Sequence, residues 1–473
     1  MARICIVGGS GYVGLSYAVA LAELGHDVVG LDVAADRVAA LNAGESPLHE
    51  PGLAELLEGN LAAGRLRFTT EYATAIPGAT FVFLCVGTPS LSNGEADMRQ
   101  VRAAAAAIGV HLPSGSRTIL VNKSTMPIGS ADLVTQIVAE HAAPGADFHV
   151  VSNPEFLREG CAIDDIFHPD RIVLGAEDRD AAADVAALYA PLDAQTLITD
   201  RRSAEMIKYA ANAFLATKIS FINEVAMICE RLGADVTTVA EGMGLDPRIG
   251  SRFLQAGLGF GGSCFPKDVG ALTHMADASG LHPGLLRAVL EINADARHRF
   301  VTRAERLVGG FDGRTVAVWG LAFKQDTDDL RESPALDIIA MLRERGAAVR
   351  AHDPVAMEKA QSILTDVTLC SDPYEAATGA DAVLLVTPWR QYSGIDLARV
   401  ASVMTGTVLL DGRNLLDDDA AVAAGLHYEG IGRHIVRVDA GSSRPTQTAE
   451  PAMPDAALPS MAKQPSIPGD SLA

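Results

Sequence analysis

A glycine pattern set between two short apolar runs constrains this chain more than any other feature. Ile4-Cys5-Ile6-Val7 leads into Gly9-Ser10-Gly11-Tyr12-Val13-Gly14. A helical pattern follows from Leu15 to Leu24, Gly25 ends it, and Val28-Val29-Gly30-Leu31 runs up to Asp32. Strand, glycine turn, helix and strand is the context in which G-x-G-x-x-G binds a dinucleotide. Gly9 permits the tight turn, Gly11 lets backbone approach a pyrophosphate, and Gly14 brings the helix close to the strand. Asp32 can accept from both ribose hydroxyls, and its charge repels a 2′-phosphate, which favours NAD over NADP. Arg37, nearby, is of the type that serves such a phosphate and stands against that preference.

Strands and helices keep alternating. Thr80 to Val86 reads as a strand ending at Gly87-Thr88-Pro89, Val101 to Val110 as a helix, and Thr118 to Asn122 as a strand ending at Lys123-Ser124-Thr125-Met126-Pro127. A helix from Gly129 to about His141 precedes the strand Phe148 to Val151, which ends at Asn153-Pro154-Glu155-Phe156-Leu157-Arg158-Glu159-Gly160. Polar residues gather at the strand ends, where open α/β sheets bind ligands. Glu155 and Glu159 are site candidates there, although carboxylates at this spacing also occur as plain solvated surface.

The longest helical pattern runs from Ser203 to Leu232, with apolar residues on two sides. At about 30 residues it would span ~45 Å, as a central strut that also packs a partner subunit. Lys208 and Asn212 fall on one face of it.

Gly257-Leu258-Gly259-Phe260-Gly261-Gly262-Ser263-Cys264-Phe265-Pro266-Lys267-Asp268 cannot be helix or strand interior through its glycines. It predicts a loop that delivers one thiol to the start of a helix, with Pro266 in the first turn. Cys264 beside that helix end and Lys267 is expected to favour thiolate. Asp268 is placed to bind a water or a reacting oxygen.

A second strand–helix–strand unit begins after a helical region ending near Val308. Its strands are Thr315 to Trp319, Ala348 to Ala351, Ala382 to Val386 and Val408 to Leu410, with a helix from Ser333 to Arg345. It lacks G-x-G-x-x-G, so it need not bind a dinucleotide. Lys324, Arg331 and Arg413 at its strand ends suit a nucleotide diphosphate. The pattern as a whole predicts two Rossmann-like, doubly wound parallel-sheet domains joined by a long central helix. Its boundaries are 1–202 for the first α/β domain, 203–308 for the helical region with the cysteine loop, and 309–440 for the second α/β domain. Residues 441–473, rich in Pro, Ser and Ala, read as a disordered tail.

Composition narrows the function classes. The chain has 473 residues and a formal net charge of −21, which argues against nucleic acid or an anionic membrane surface as a partner. No apolar run reaches transmembrane length. The six cysteines are scattered without a C-x-x-C pair, so neither a disulfide framework nor a zinc site is expected, and a reducing cytoplasm fits. The apolar N-terminus, interrupted by its glycines, reads as a strand rather than a signal peptide.

Together these stretches resemble the nucleotide-sugar 6-dehydrogenases, over roughly residues 1 to 437. The likeness rests on Gly9 to Leu15, Ser124-Thr125-Met126-Pro127, Asn153 to Gly160, His168-Pro169-Asp170-Arg171, Lys208 to Leu215, Phe221-Ile222-Asn223-Glu224, Gly259 to Cys264, Gly320 to Lys324 and Arg331-Glu332-Ser333. The central helix and Asp411-Gly412-Arg413-Asn414 are similar to the branch acting on UDP-glucose. Gly8 before the fingerprint, Met126 and Cys161 depart from the family pattern, and none removes a site residue.

The resemblance implies an NAD-binding domain, a dimer-forming helix, a UDP-binding domain, and oxidation of the sugar C6 from alcohol to acid at the expense of two NAD⁺. By matching motif it implies Cys264 as nucleophile, with Lys208, Asn212 and Asp268 placing oxygens and waters, and Thr125, Glu155 and Glu159 completing the site. It further implies cofactor contacts from Gly9, Gly11, Tyr12, Val13, Gly14, Asp32, Arg37, Thr88, Thr125, Glu159, Lys267 and Arg331. Substrate contacts would come from Glu155, Phe156, Leu157, Lys208, Asn212, Phe260, Gly261 and Lys324, and from Arg248 across the subunit boundary. Asp268, Glu155 and Glu159 remain equal candidates for the base that activates the hydrolytic water. Two other readings use the same features: an ordinary two-electron NAD dehydrogenase, and a nucleotide-sensing protein without catalysis.

Overall fold

A computed structural model describes residues 1–115 and 117–433, so the expected tail over 441–473 lies outside the described residues. The first sheet contains β1 (Arg3–Val7), β2 (Asp27–Leu31), β3 (Leu66–Thr69), β4 (Phe81–Leu84), β5 (Arg117–Asn122), β6 (Asp147–Ser152), β7 (Ile172–Ala176) and β8 (Thr196–Thr199). Its order is β3-β2-β1-β4-β5-β6-β7-β8. The first six strands are parallel and follow the Rossmann order. β7 turns antiparallel to β6 and carries β8 parallel to itself, an extension absent from the expected all-parallel sheet.

The second sheet contains β9 (Thr315–Trp319), β10 (Ala348–His352), β11 (Thr368–Leu369), β12 (Ala382–Leu385), β13 (Val408–Asp411) and β14 (His427–Gly430). Its order, β11-β10-β9-β12-β13-β14, repeats that of the first six strands, and every pair is parallel.

Both faces of the first sheet are covered, and β1 records how. Ile4 and Ile6 enter one apolar cluster with the Tyr12–Glu23 helix, while Cys5 and Val7 enter another with Val101, Ile108 and Val134. Side chains alternate across a strand, so a strand apolar at every position demands helices on both sides.

The central helix spans Arg201–Leu232. It starts two residues before the predicted Ser203 because Asp200 caps it, accepting from Ser203 N at 2.9 Å, and it ends at Gly233, whose φ is 74°. The helices Phe265–Ala278 and Gly284–Val308 pack against it. Ala213, Ala216, Phe260, Val269 and Val289 form a small core where the three helices meet the cysteine loop. Among the described residues no helix is long and apolar enough to cross a membrane, and no group of three His, Cys, Asp or Glu side chains could hold a metal ion.

Candidate active site

The first strand ends in the glycine turn. Gly8, outside the fingerprint, is the residue with positive φ, 86°, and a Cβ there would lie 2.7 Å from the Cys85 carbonyl oxygen. A Cβ on Gly14 would lie 2.1 Å from the Gly8 carbonyl oxygen, so the helix touches the strand end as expected. Gly9 was expected to permit the turn, but its φ is not positive. Its lack of a side chain instead lets Gly30 of β2 approach, because a Cβ would sit 2.8 Å from the Gly30 Cα.

The turn opens into a cleft of about 240 Å³ lined by Gly8, Ser10, Gly11, Asp32, Arg37 and Gly87. Asp32 Oδ2 accepts from Ser10 N at 3.0 Å and Ser10 Oγ at 2.7 Å, and Oδ1 accepts from Ala34 N at 3.1 Å. A carboxylate offers about four acceptor positions, so serving both ribose hydroxyls requires the Ser10 hydroxyl to give way. The open face at Gly11, the free N–H groups of the helix start and the strand-end carboxylate together suit a dinucleotide.

The cysteine loop is tied down from three directions. Gly257 N donates to Asn223 Oδ1 of the central helix at 2.8 Å. Phe260 is gripped by the Gly284–Val308 helix: its N–H donates to Asn293 Oδ1 at 2.7 Å, and its carbonyl accepts from Asn293 Nδ2 at 3.0 Å and Arg297 at 2.7 Å. From the C-terminal domain, Arg413 donates to the Gly259 carbonyl at 3.2 Å, and the Arg331 carbonyl accepts from Gly262 N at 3.1 Å. Gly259 has a φ of 80°, and a Cβ on Gly261 would lie 2.1 Å from the Glu332 carbonyl oxygen, so the glycines allow this crowding.

Cys264 takes the N-cap position of Phe265–Ala278, with Pro266 in the first turn, as predicted. Its thiol is not poised as thiolate. Burial, and then the charge of Glu155, push it up to about 11, outweighing Lys208. Lys267 offers no relief, because its ammonium is engaged by Asp268 at 2.5 Å. Ser263 Oγ lies 3.6 Å from the Cys264 sulfur and donates to Glu159 Oε1 at 2.9 Å.

Lys208 is buried and pairs with Glu155 at 3.0 Å, which excludes a snorkelling surface lysine. Burial alone would lower its pKa, but Glu155, Asp268 and Cys264 hold it above the ordinary value. Glu155 is held below the usual carboxylate range, since Lys208 and the Leu157 N–H, at 2.6 Å, outweigh its burial. Asn212, one turn after Lys208, donates to Asp268 Oδ2 at 2.6 Å. A half-buried thiol, a buried ammonium, an amide and two carboxylates therefore converge where the central helix meets the cysteine loop. Such a group can add sulfur to a carbonyl and stabilise the resulting oxyanion.

Three sequence models match the chain in succession: the UDP-glucose/GDP-mannose dehydrogenase family's NAD binding domain over residues 2–193, its central domain over 202–295 and its UDP binding domain over 317–418. The chain belongs to the UDP-glucose/GDP-mannose dehydrogenase family. It is 46% identical over 455 residues to the UDP-glucose 6-dehydrogenase TuaD of Bacillus subtilis, covering 96% of this chain and 97% of the relative. It is 45% identical over 433 residues to the UDP-glucose 6-dehydrogenase of Rhizobium meliloti, covering 90% and 98%. Among solved structures, a UDP-glucose dehydrogenase from Pyrobaculum islandicum aligns with a TM-score of 0.86 at 45% identity, covering 92% of this chain and 98% of that one. As a member of this dehydrogenase family, the chain uses NAD.

Other residues expected of this family's site lie around the same junction. Thr88 donates to the Thr125 carbonyl at 2.8 Å. Phe156 stacks under Arg171 at 3.8 Å and faces Lys208 at 5.4 Å. Arg331 holds Asp329 and reaches Glu159 at 3.3 Å, joining the two α/β domains. Burial, followed by the nearby Asp329 charge, pushes Glu159 up to about 7. Lys324 lies 5.7 Å over the Phe323 ring. Arg248 is exposed and, among the described residues, bonded only to its neighbour Asp246, so their fold does not bring it into the cluster.

The structure adds residues that pattern reading passed over. Glu50 accepts from Tyr12 Oη, Gly160 N and Ala162 N, coupling the dinucleotide helix to the Glu159 turn. Lys123 is buried, 4.0 Å over Tyr17 and donating to Asn153 Oδ1 at 3.0 Å, and burial lowers it to about 7. Lys123 stands beside the quoted Ser124-Thr125, and its place at a strand end was the available signal. Glu50 carried none, because its partners are 38, 110 and 112 positions away.

Proposed function

We propose that this chain oxidises UDP-glucose at C6 to UDP-glucuronate, consuming two NAD⁺ and one water. The observation that carries this reading is the convergence of Cys264, Lys208, Asn212, Asp268 and Glu155 beside the NAD-binding domain, in a chain 45–46% identical to UDP-glucose 6-dehydrogenases. NAD, held at the Gly8–Gly14 turn and Asp32, would accept a hydride from C6 in each of two oxidations. The first converts the alcohol to an aldehyde and releases a proton. Cys264 then forms a carbon–sulfur bond to the aldehyde carbon, its thiol proton passing by way of a nearby base to the aldehyde oxygen, to give a thiohemiacetal. Loss of the second hydride and a proton leaves a thioester. Water cleaves the carbon–sulfur bond to release the acid and restore the thiol.

Lys208, kept cationic by Glu155, and Asn212 would face the developing oxyanion. With the thiol at about 11, sulfur is delivered by a base rather than held as a standing thiolate. Asp268, Glu155 and Glu159 all remain candidates for activating the water. UDP would lie against the C-terminal domain near Lys324.

We further propose a homodimer built on the central helix, where Phe214, Phe221 and Ile228 recur as an exposed apolar stripe. Arg248 of one subunit would reach the other's substrate. Cytoplasmic location fits the NAD supply and the free cysteines.

The test is a panel of UDP- and GDP-sugars with NAD⁺, counting NADH per sugar consumed. Two NADH per UDP-glucose supports the reading. One NADH per sugar favours the simple two-electron dehydrogenase, and binding without turnover favours the sensor.

A further inference from the structure

Lys208 also lines a small pocket of about 10 Å³, shared with Asn122, Thr125, Ser152 and Glu205 among others. That is about the room one water needs, and polar side chains face it alongside Met126 and Pro154. Asn122 is 4% exposed, yet neither its Oδ1 nor its Nδ2 finds a hydrogen-bond partner among the described residues. Leaving both ends of a buried amide unpaired is costly, so the side chain points to a small polar ligand. Lys208 has the complementary need. It carries three N–H donors, and its ion pair with Glu155 accounts for one.

Glu205 sits one helical turn before Lys208. Its carboxylate accepts from Gly129 N at 2.6 Å, Ala131 N at 2.9 Å and Ser152 Oγ at 3.3 Å. Those bonds fix it as a rigid wall of the pocket.

We propose that this pocket binds one structural water, held by Asn122, which accepts an N–H of Lys208, and that Asn122 is thereby a positioning residue for Lys208. The water accepts from Lys208 and from Asn122 Nδ2, and donates to Asn122 Oδ1 and to Glu205 or Ser152. Four partners satisfy it fully. With one N–H on Glu155 and one on the water, the third N–H of Lys208 has a single direction left. The water site does not depend on the proposed reaction; only the kinetic consequence rests on that reading.

The test pairs diffraction with kinetics. A crystal structure resolving ordered waters is expected to place one within hydrogen-bond distance of Lys208 Nζ and Asn122 Oδ1. Asn122→Leu fills the pocket with hydrocarbon and is expected to lower kcat about ten-fold with KM within about two-fold, the loss of one buried hydrogen bond. Asn122→Ser keeps a polar group and room for water, and is expected to recover most of kcat, which separates positioning from mere packing. A pocket found dry, with Asn122 bonded to protein groups, overturns the proposal. So does an Asn122→Leu protein that keeps wild-type kcat. If the wild type fails to oxidise any nucleotide sugar, the proposed function falls, and diffraction alone still decides the water site.

Discussion

Asn212 donates to Asp268 Oδ2 across the contact between the central helix and the helix behind Cys264, while the other Asp268 oxygen holds Lys267. Asp268, 1% exposed, thus has an amide on one oxygen and an ammonium on the other. Asn212→Ala removes one of these and leaves a buried carboxylate oxygen without its donor. The expected loss is about 1–3 kcal/mol of stability, read by urea denaturation without substrate. A variant as stable as the wild type would mean that solvent reaches Asp268 and replaces the amide.

Removing Glu155 strands a buried ammonium. Glu155→Ala is expected to cost about 3–5 kcal/mol at pH 7. The pH dependence has a definite sign. Glu155 is held below its ordinary value in the fold, so its contribution is complete above the unfolded carboxyl value, about 4.3, and is lost as pH falls through the folded value. The stability difference between wild type and variant should therefore narrow in acid. A constant gap between pH 7 and pH 3 would contradict the ion pair.

The protonated state of Cys264 is open to direct test. With the thiol near 11, iodoacetamide labelling of residue 264 should be slow at pH 7 and rise about ten-fold per pH unit through pH 9. Peptide mapping separates it from Cys161, which is also partly accessible. A rate already level below pH 8 would show a standing thiolate.

Cys264→Ser addresses the proposed covalent step. A serine hydroxyl is a far weaker nucleophile at neutral pH, and its ester leaves less readily than a thioester. The variant should bind UDP-glucose yet turn over several orders of magnitude more slowly, with an acyl or aldehyde-level species accumulating. Intact-protein mass spectrometry after incubation with substrate and NAD⁺ is the readout. Near wild-type turnover with two NADH per sugar would reduce the glycine-rich loop to a binding loop.

Much of the fold was legible because its signals are local. The turn from Val7 to Gly14, Asp32 at the end of β2, the Thr315–Trp319 strand and the Gly233 stop of the central helix each follow from a few adjacent residues. The β7–β8 extension was not legible: Thr196–Thr199 is a mostly exposed edge strand, and nothing local to the buried run Ile172–Ala176 tells that it pairs antiparallel with β6. The thiol was misjudged for a related reason. Helix end and lysine are visible at Cys264 in the sequence, whereas burial, Glu155 and the capture of Lys267 by Asp268 exist only once distant segments meet. Gly8, passed over as an extra glycine, carries the strained turn because the Cys85 carbonyl, on the neighbouring strand, leaves no room for a side chain.

The three-way anchoring of the cysteine loop bears on how this chain could be recombined with its relatives. The N-terminal domain and the C-terminal domain each carry a complete Rossmann order, which invites exchanging them as modules. The loop between them does not respect that division. Its backbone is held by Asn223, by Asn293 and Arg297, and by Arg413 and the Arg331 carbonyl, groups drawn from both sides of any cut after the central helix. A chimera joined at Gly309 would inherit a cysteine loop shaped for one C-terminal domain and seated on another. An exchange that keeps this loop's anchorage must therefore carry the central helix, the loop and the whole C-terminal sheet together.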